Sequence, residues 1–217
     1  MQTEQAAPAV EGNQVPGGKI GAEGSDDVLD TRERLVRAAI EVFLEKGYGG
    51  SRVQDIARKA GYTAGALYVH FPSRTALLGE AIMLEGRQII GSIVESLGAL
   101  DPGDGRVAHS LTELVVAESS PIDVLMLEAL ALASREDEAR EMLASTLQEM
   151  ERSMVSQIET ARELGFIDPS LDVSAIRTFL SAWILGMIVH RAVGLPVPPF
   201  DDTLDVYTRV VGGLAPA

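Results

Sequence analysis

The sequence predicts an all-α protein of about nine helices. Apolar residues recur at helical spacing through most of the chain from Thr31 onward. An alternating strand pattern, an Asn-Gly hairpin and an internal repeat are all missing from the 217 residues. Hydrophobic residues make up 46% of the chain, which is enough to build a core. We expect an acidic, disordered arm over residues 1–30, a first folded unit over residues 31–78 and a second over residues 79–217.

The first helix is predicted to begin at Thr31, a residue that can cap it, and to end at Gly47. Residues 52–71 then predict two short helices joined by a tight turn. Ser51 and Gln54 have the spacing of a capping box at the start of the first short helix.

The turn and the second short helix are marked by four residues. Gly61 can end a helix in the left-handed conformation, Thr63 can cap the next helix, and Pro72 disfavours helical geometry at Phe71. Together these signals predict a helix-turn-helix, whose second helix enters the major groove of DNA. The alternative is an ordinary helical hairpin inside a bundle.

The charge distribution supports DNA binding, although the net charge is −14. Residues 31–78 carry eight Lys and Arg and four acids, for +4, whereas residues 1–30 carry −5 and residues 79–217 carry −13. The one basic block therefore coincides with the helix-turn-helix, as phosphate contact requires. The acidic remainder should repel DNA and help orient the docking end.

The cysteine content and the lengths of the apolar runs further restrict the class of protein. The chain contains no cysteine, which excludes disulfides and thiolate metal sites. We expect no membrane span, because no run of 18 apolar residues is free of charge, and no signal peptide. A cytoplasmic location fits these features.

A long helix is predicted after Ser73, with Gly79, Gly86, Gly91 and Gly98 along it. Each glycine weakens a helix, so the helix either packs closely against neighbours or bends. Further helices are expected near 105–118, 122–133, 134–164 and 172–193, and from 201 onward. The helix that Asp172 can cap is apolar on nearly all sides, which predicts that one part faces the core and another a partner subunit.

Residues Thr31 to Leu78 resemble the DNA-binding domain of the TetR family of bacterial transcriptional regulators. The matching residues are Val53, Ile56, Ala57, Ala60-Gly61, Thr63, Gly65, Leu67-Tyr68, His70-Phe71 and Leu77. The chain departs from the family pattern at Ser51-Arg52, Tyr62 and Arg74, and Tyr62 could alter turn packing or reach the DNA.

The resemblance implies a homodimeric repressor. Two recognition helices would meet successive major grooves of a pseudo-palindromic operator in double-stranded DNA. The last two helices of each subunit would form a four-helix interface. A small-molecule effector in the C-terminal domain would shift the long helix and separate the two DNA-binding heads.

The candidate DNA-binding residues follow from the motif and the resemblance. Tyr68, His70 and Arg74 match phosphate-contacting positions, and Thr63 could add backbone donors at the helix start. The base-facing positions hold Ala64, Gly65 and Ala66, which permit close approach and contact with thymine methyls. Gln54 either binds a base edge or only caps its helix, and both hypotheses stay open.

The C-terminal domain offers a hydrophobic lining for the effector, such as an acyl chain, a steroid or an aromatic drug. The candidates are Met126, Met150, Met154, Phe179, Trp183 and Met187. The alternative for each is an ordinary core position. The polar groups that could orient a ligand are His109, His190 and Arg177. His109 and Glu113 have a metal-binding spacing but no evident third ligand, so neither a metal nor a cofactor is expected.

Two other functions compete with a ligand-responsive repressor. An enzyme is disfavoured, because the sequence contains no nucleophile–base signature, metal cluster or Gly-rich phosphate loop. A DNA-binding or architectural factor without an inducer would be favoured by a filled C-terminal core with no cavity. Activation instead of repression is not distinguished.

Overall fold

The computed structural model describes the backbone of residues 24–98 and 106–214, and the side chains of residues 31–89, 91 and 108–214. Within these ranges the chain forms nine α-helices and no strand, which confirms the predicted all-α class. The helices are α1 (Gly24–Gly50), α2 (Val53–Lys59), α3 (Ala64–His70), α4 (Arg74–Gly98), α5 (Arg106–Val116), α6 (Pro121–Ala133), α7 (Asp137–Glu163), α8 (Val173–Ala192) and α9 (Phe200–Gly212).

Helix α1 begins upstream of the predicted cap. Residues 24–30 belong to α1, so the predicted arm is helical there, whereas residues 1–23 lie outside the described part of the chain. The predicted end at Gly47 is a real break, because Gly47 has a φ of 68° inside the segment. The chain can turn there cheaply because glycine lacks a Cβ.

The capping box predicted at the start of α2 was wrong. Arg52 is the N-cap residue, and its side chain makes no cap hydrogen bond. Ser51 is buried, and its hydroxyl donates to the carbonyl of Tyr48 at 2.8 Å. The hydroxyl therefore closes the turn after α1 and does not cap α2.

Helices α1 to α3 and the start of α4 share one core. Fully buried side chains from each of them meet there: Leu35, Phe43, Ile56, Leu67, Phe71, Leu77 and Leu78. Because α4 contributes to this core and continues into the C-terminal helices, it connects the two halves of the molecule.

Two glycines bring α4 against α7. A Cβ added at Gly79 would lie 2.9 Å from Met142 Sδ, and one at Gly86 would lie 2.7 Å from Met150 Cε. Such distances leave no space for a methyl group unless the methionines move. Of the two predicted roles for the glycines of α4, close packing therefore holds at these two positions.

The C-terminal helices are tied together by a buried ion pair. Arg191 of α8 binds both carboxylate oxygens of Asp123 of α6, at 2.8 and 2.6 Å. The exposed fractions of the two side chains are 7% and 0%. Asp123 also accepts from the backbone amide of Ser120 at 2.9 Å and thereby completes the capping box of α6.

Helix α8 is, among the described residues, the one helix long and apolar enough to cross a membrane by length and composition. The same test is passed by the core helices of soluble proteins. Two arginines of α8 form ion pairs with neighbouring helices. Arg177 pairs with Glu151 of α7 at 2.6 Å, and Arg191 pairs with Asp123 of α6. Only 11% of the residues in the most apolar window of α8 are fully buried within one subunit, and exposed residues lie along the helix.

Candidate nucleic-acid interface

Helix α3 is held inward by one side chain and presents the others outward. Leu67 is fully buried, whereas Tyr68 is 54% exposed and Val69 is 82% exposed. The predicted cap is present, since Thr63 Oγ1 accepts from the amide of Ala66 at 3.2 Å. Phe71 ends the helix in an extended conformation, as Pro72 predicts. The geometry is that of a short helix available to a groove.

The turn before α3 fixes its direction. Gly61 has a φ of 80°, and the amides of Gly61 and Tyr62 donate to the carbonyls of Arg58 and Ala57 at 3.1 and 2.8 Å. These two bonds form a Schellman motif. The hydroxyl of Tyr62 lies 3.1 Å from Thr31 Oγ1, so this tyrosine ties the turn to α1. The hypothesis that Tyr62 alters turn packing agrees with this contact.

The predicted base-facing residues differ in exposure. Gly65 is exposed, and a Cβ there would meet only Thr63 Oγ1 at 3.8 Å. Ala66 is half-buried. Ala64 is also half-buried and packs against the core, because it lies on the same side of α3 as the buried Leu67. Gly65 is therefore the most accessible of the three positions.

Gln54 is exposed on α2, which has no side-chain cap. The hypothesis that the Gln54 side chain only caps its helix is therefore excluded. Contact with a base edge stays a prediction.

Arg74 is tied to the protein more closely than the sequence suggested. Its guanidinium donates to the carbonyl of Ser51 and stacks 4.1 Å from the ring centre of Tyr48. These contacts fix the start of α4 to the end of α1, so any phosphate contact by Arg74 uses its remaining N–H groups. His70 is half-buried beside Phe71, with ring centres 6.4 Å apart.

Much of the basic block is neutralised by neighbouring carboxylates. Asp55 binds Lys46 at 2.8 Å and Arg58 at 2.6 Å, while Lys59 binds Glu45 at 2.5 Å. The hydrogen bond from Lys46 is the main cause that lowers the pKa of Asp55, and the bond to Glu45 is the main cause that raises the pKa of Lys59. These pairs therefore remain charged at neutral pH. The net charge of +4 already counts these carboxylates, so the ion pairs reduce the number of cationic side chains that are free to contact phosphates.

Two exposed residues of the helix-turn-helix were missed from the sequence. Arg52 at the start of α2 has no carboxylate partner recorded in the described part of the chain. Val69 carries an apolar side chain into solvent on α3. The signal for Val69 was its place next to Leu67 and Tyr68, because a helix that buries Leu67 must turn Val69 outward.

Tyr68→Phe should weaken operator binding about 3- to 10-fold for every sequence tested, because the phenolic hydroxyl would lose one phosphate hydrogen bond. Fluorescence anisotropy at fixed salt measures the change. Tyr68→Ala should weaken binding further without changing the sedimentation of the protein. Unchanged affinity of both variants at moderate salt would rule out the phosphate contact.

Gln54→Ala should relax the preference at one base pair of each half-site, since a good bidentate base contact provides about 1–3 kcal/mol of discrimination. Competition binding with single-base operator variants measures this preference. A uniform loss of affinity at all positions, with discrimination unchanged, would assign Gln54 to the DNA backbone instead.

A second candidate site is a cavity of about 60 Å³ in the C-terminal half. It lies between α4, α5, α6, α7 and α8. Its lining is mostly apolar and comprises Gly86, Ile89, Leu114, Ile122, Met150, Met154, Trp183, Ile184, Met187, Ile188 and Arg191. A hydrogen bond of 2.7 Å from Trp183 Nε1 to the hydroxyl of Tyr207 on α9 fixes the indole ring.

Four of the six predicted ligand-binding residues line this cavity, namely Met150, Met154, Trp183 and Met187. The other two are placed elsewhere. Met126 is fully buried in the core, and Phe179 is 52% exposed on the surface of α8. Phe179 was misplaced because α8 is apolar on opposite faces, and periodicity alone cannot say which face points inward.

The polar residues predicted to orient a ligand do not line the cavity. Arg177 pairs with Glu151, and His109 lies 3.5 Å from Glu113. His190 Nδ1 is buried without a hydrogen-bond partner among the described residues. Arg191, which the sequence analysis did not single out, is the charged lining residue. No group of three metal-binding side chains occurs in the described ranges.

Comparison with known proteins identifies the N-terminal unit. Residues 35–81 match the family model described as bacterial regulatory proteins, tetR family. The HTH-type transcriptional repressor DhaR of Mycobacterium sp. (strain GP1) is 26% identical over 178 residues, which cover 81% of this chain and 89% of DhaR.

Solved structures share the fold of most of the chain. A TetR-family transcriptional regulator from Rhodococcus sp. has a TM-score of 0.67 and 21% identity, over 87% of this chain and 100% of the other. FadR from Bacillus subtilis, solved in complex with stearoyl-CoA, has a TM-score of 0.58 and 20% identity, over 84% of this chain and 97% of FadR. The helix-turn-helix, the family match over residues 35–81 and these relatives together identify the N-terminal unit as a DNA-binding domain of the TetR family of transcriptional regulators.

Proposed function

We propose that the protein is a homodimeric repressor, released from a pseudo-palindromic operator by a small hydrophobic effector. The observation that carries the proposal is the path of α4, which packs against α1 near its start and lines the cavity through Gly86 and Ile89 further along. A molecule that enlarges the cavity would therefore press on the helix that carries the DNA-binding unit. We assign residues 31–78 to DNA binding and residues 79–217 to effector binding and dimerisation.

Met150 transmits the effect of a ligand in the cavity to α4. Its methyl group occupies the notch at Gly86, where a Cβ would be only 2.7 Å away, and its side chain also lines the cavity. A ligand that displaces Met150 must push its flexible side chain either into α4 or out of the notch. Either movement changes how α4 packs on α7. The repressor name of DhaR and the ligand-bound FadR structure agree with such a device.

We expect a second copy of the chain to pack against the exposed face of α8. Its exposed residues follow helical spacing along one face: Ala175, Phe179, Ala182, Gly186, Val189 and Val193. The small residues at the middle of this face allow close approach of another helix. Val206 and Val210 continue the apolar surface on α9. Two such pairs of helices would make a four-helix interface in a cytoplasmic dimer.

Selection of genomic DNA fragments by the purified full-length protein, at two salt concentrations, tests the operator proposal. We expect an inverted repeat that survives at the higher salt. Only salt-sensitive binding without a shared motif would mean phosphate attraction alone and would contradict a sequence-specific repressor.

A DNA-binding regulator without an inducer is the second candidate. The small size of the cavity favours it, because ligand sites usually have volumes of about 300–1,000 Å³. A screen of apolar compounds by thermal stability separates the two candidates. Compounds that stabilise the protein and release the selected operator support the inducible repressor, and a screen without any such compound supports the second candidate.

A further inference from the structure

Arg191 is the single charged residue among those described as lining the cavity. Its side chain is only 7% exposed. Nε and Nη2 donate to the carboxylate of Asp123, and Nη1 donates to the carbonyl of Leu114 at 2.9 Å. The cavity thus has apolar walls and one cationic end that is already neutralised by a carboxylate.

The guanidinium group keeps unused hydrogen-bonding capacity. Arginine has five N–H groups, and the contacts within the described residues engage three of them. Asp123 is held in place independently, since it also accepts from the amide of Ser120 at 2.9 Å. The ion pair can therefore persist while Arg191 donates to a further acceptor in the cavity.

We infer that the effector is a compact, uncharged molecule with an apolar body and one hydrogen-bond acceptor, which accepts from Arg191. This assignment rests on the proposed function and names the ligand class for its site. An anion would bring a second negative charge beside the buried Asp123, and a cation would face the guanidinium group. Both ions would also lose their hydration in apolar surroundings. A hydrocarbon would leave the two remaining N–H groups of Arg191 without a partner.

Even a one-ring ligand requires adjustment of this small cavity. At about 60 Å³ it is smaller than the 150 Å³ apolar cavity known to accept benzene. Met150, Met154 and Met187 supply the adjustable part of the wall, because methionine has three rotatable bonds and no branch. A one-ring ligand can be admitted when these side chains rotate.

Isothermal titration calorimetry of the full-length protein with four probes of similar shape tests the ligand class. The probes are ethylbenzene without an acceptor, acetophenone with a neutral acceptor, benzoate as an anion and benzylammonium as a cation. Acetophenone should bind about tenfold more tightly than ethylbenzene, as expected for a hydrogen bond to a charged donor. Both ions should bind at least about tenfold more weakly than acetophenone. Tighter binding of benzoate, or equal binding of ethylbenzene, would overturn the inference.

The double variant Asp123→Asn/Arg191→Met tests the role of Arg191. It removes both charges together, so no unpaired ion is left in the core. Acetophenone and ethylbenzene should then bind within about twofold of each other, because the hydrogen bond that separates them is gone. A retained preference for acetophenone would refute the contact with Arg191. Leu164→Ala, at an exposed position away from the cavity, should leave all four affinities unchanged. If the double variant does not fold, the comparison of the four probes on the natural protein still tests the ligand class.

Release of the selected operator is measured separately by fluorescence anisotropy. Acetophenone that binds without releasing DNA would contradict the proposed repressor mechanism and leave the ligand class standing. Release by benzoate in preference to acetophenone would overturn the ligand class and leave the repressor mechanism standing.

Discussion

Arg191→Met should lower the free energy of unfolding by about 3–5 kcal/mol, because it leaves the carboxylate of Asp123 charged, buried and without its ion-pair partner. The carboxylate has no exposed surface from which water could replace the guanidinium. Helices α5, α6 and α8 all meet at this arginine, so the loss affects the whole C-terminal half. Urea denaturation followed by circular dichroism measures the change.

The neutral double variant Asp123→Asn/Arg191→Met is the control for this prediction. It should be more stable than Arg191→Met alone, since no charge remains unpaired. If the single and double variants were equally unstable, lost packing rather than the unpaired charge would be responsible.

The same ion pair predicts a dependence of stability on pH. Burial alone would raise the pKa of Asp123, but hydrogen bonds from Arg191 and from the Ser120 amide outweigh it and hold the pKa below 3.8. A lowered pKa in the folded state stabilises the fold above the unfolded value, and this stabilisation is lost as the pH falls through the folded value. The natural protein should therefore lose stability below pH 3.8 more steeply than the double variant.

Gly186→Glu should abolish dimerisation and reduce operator affinity about 100-fold or more, because a monomer engages one half-site without the second. Gly186 lies at the middle of the exposed face of α8, and a Cβ added there meets nothing within 4 Å in the same subunit. Glutamate also forms helices better than glycine, so the subunit itself should not be destabilised. Sedimentation velocity measures the dimer, and anisotropy on the selected operator measures the affinity.

Gly91→Glu provides the matched control. Gly91 lies in α4, is exposed, and also has open space where a Cβ would be added. This variant introduces the same charge and the same helix preference away from the apolar face, so it should remain dimeric. A Gly186→Glu protein that stays dimeric and binds normally would place the subunit interface elsewhere.

The DNA-binding unit could be predicted from local signals. Thr63 caps α3, Gly61 provides the left-handed turn and Pro72 limits the helix, and each depends on residues within one turn of chain. The helix start at Thr31 and the Ser51 cap were wrong because their outcome depends on competing contacts. The Ser51 hydroxyl binds the Tyr48 carbonyl, which no local rule for helix starts anticipates.

The cavity in the C-terminal half could be predicted only in part. Methionine and tryptophan indicated an adaptable apolar lining, and four such residues do line the cavity. The polar end was missed because Arg191 and Asp123 are distant in sequence and meet only through the packing of α8 on α6. Composition likewise could not separate the inward face of α8 from the outward face that carries Phe179.

Methylation protection of guanine N7 on the selected operator shows directly whether the protein is a two-headed regulator, because it reports which major grooves the protein occupies. We expect two protected patches about 10 base pairs apart, one for each recognition helix, as dimeric helix-turn-helix proteins give. Both patches should be lost together in Gly186→Glu. A single protected patch, or no protection of guanine N7 on DNA that the protein binds, would contradict a two-headed major-groove regulator.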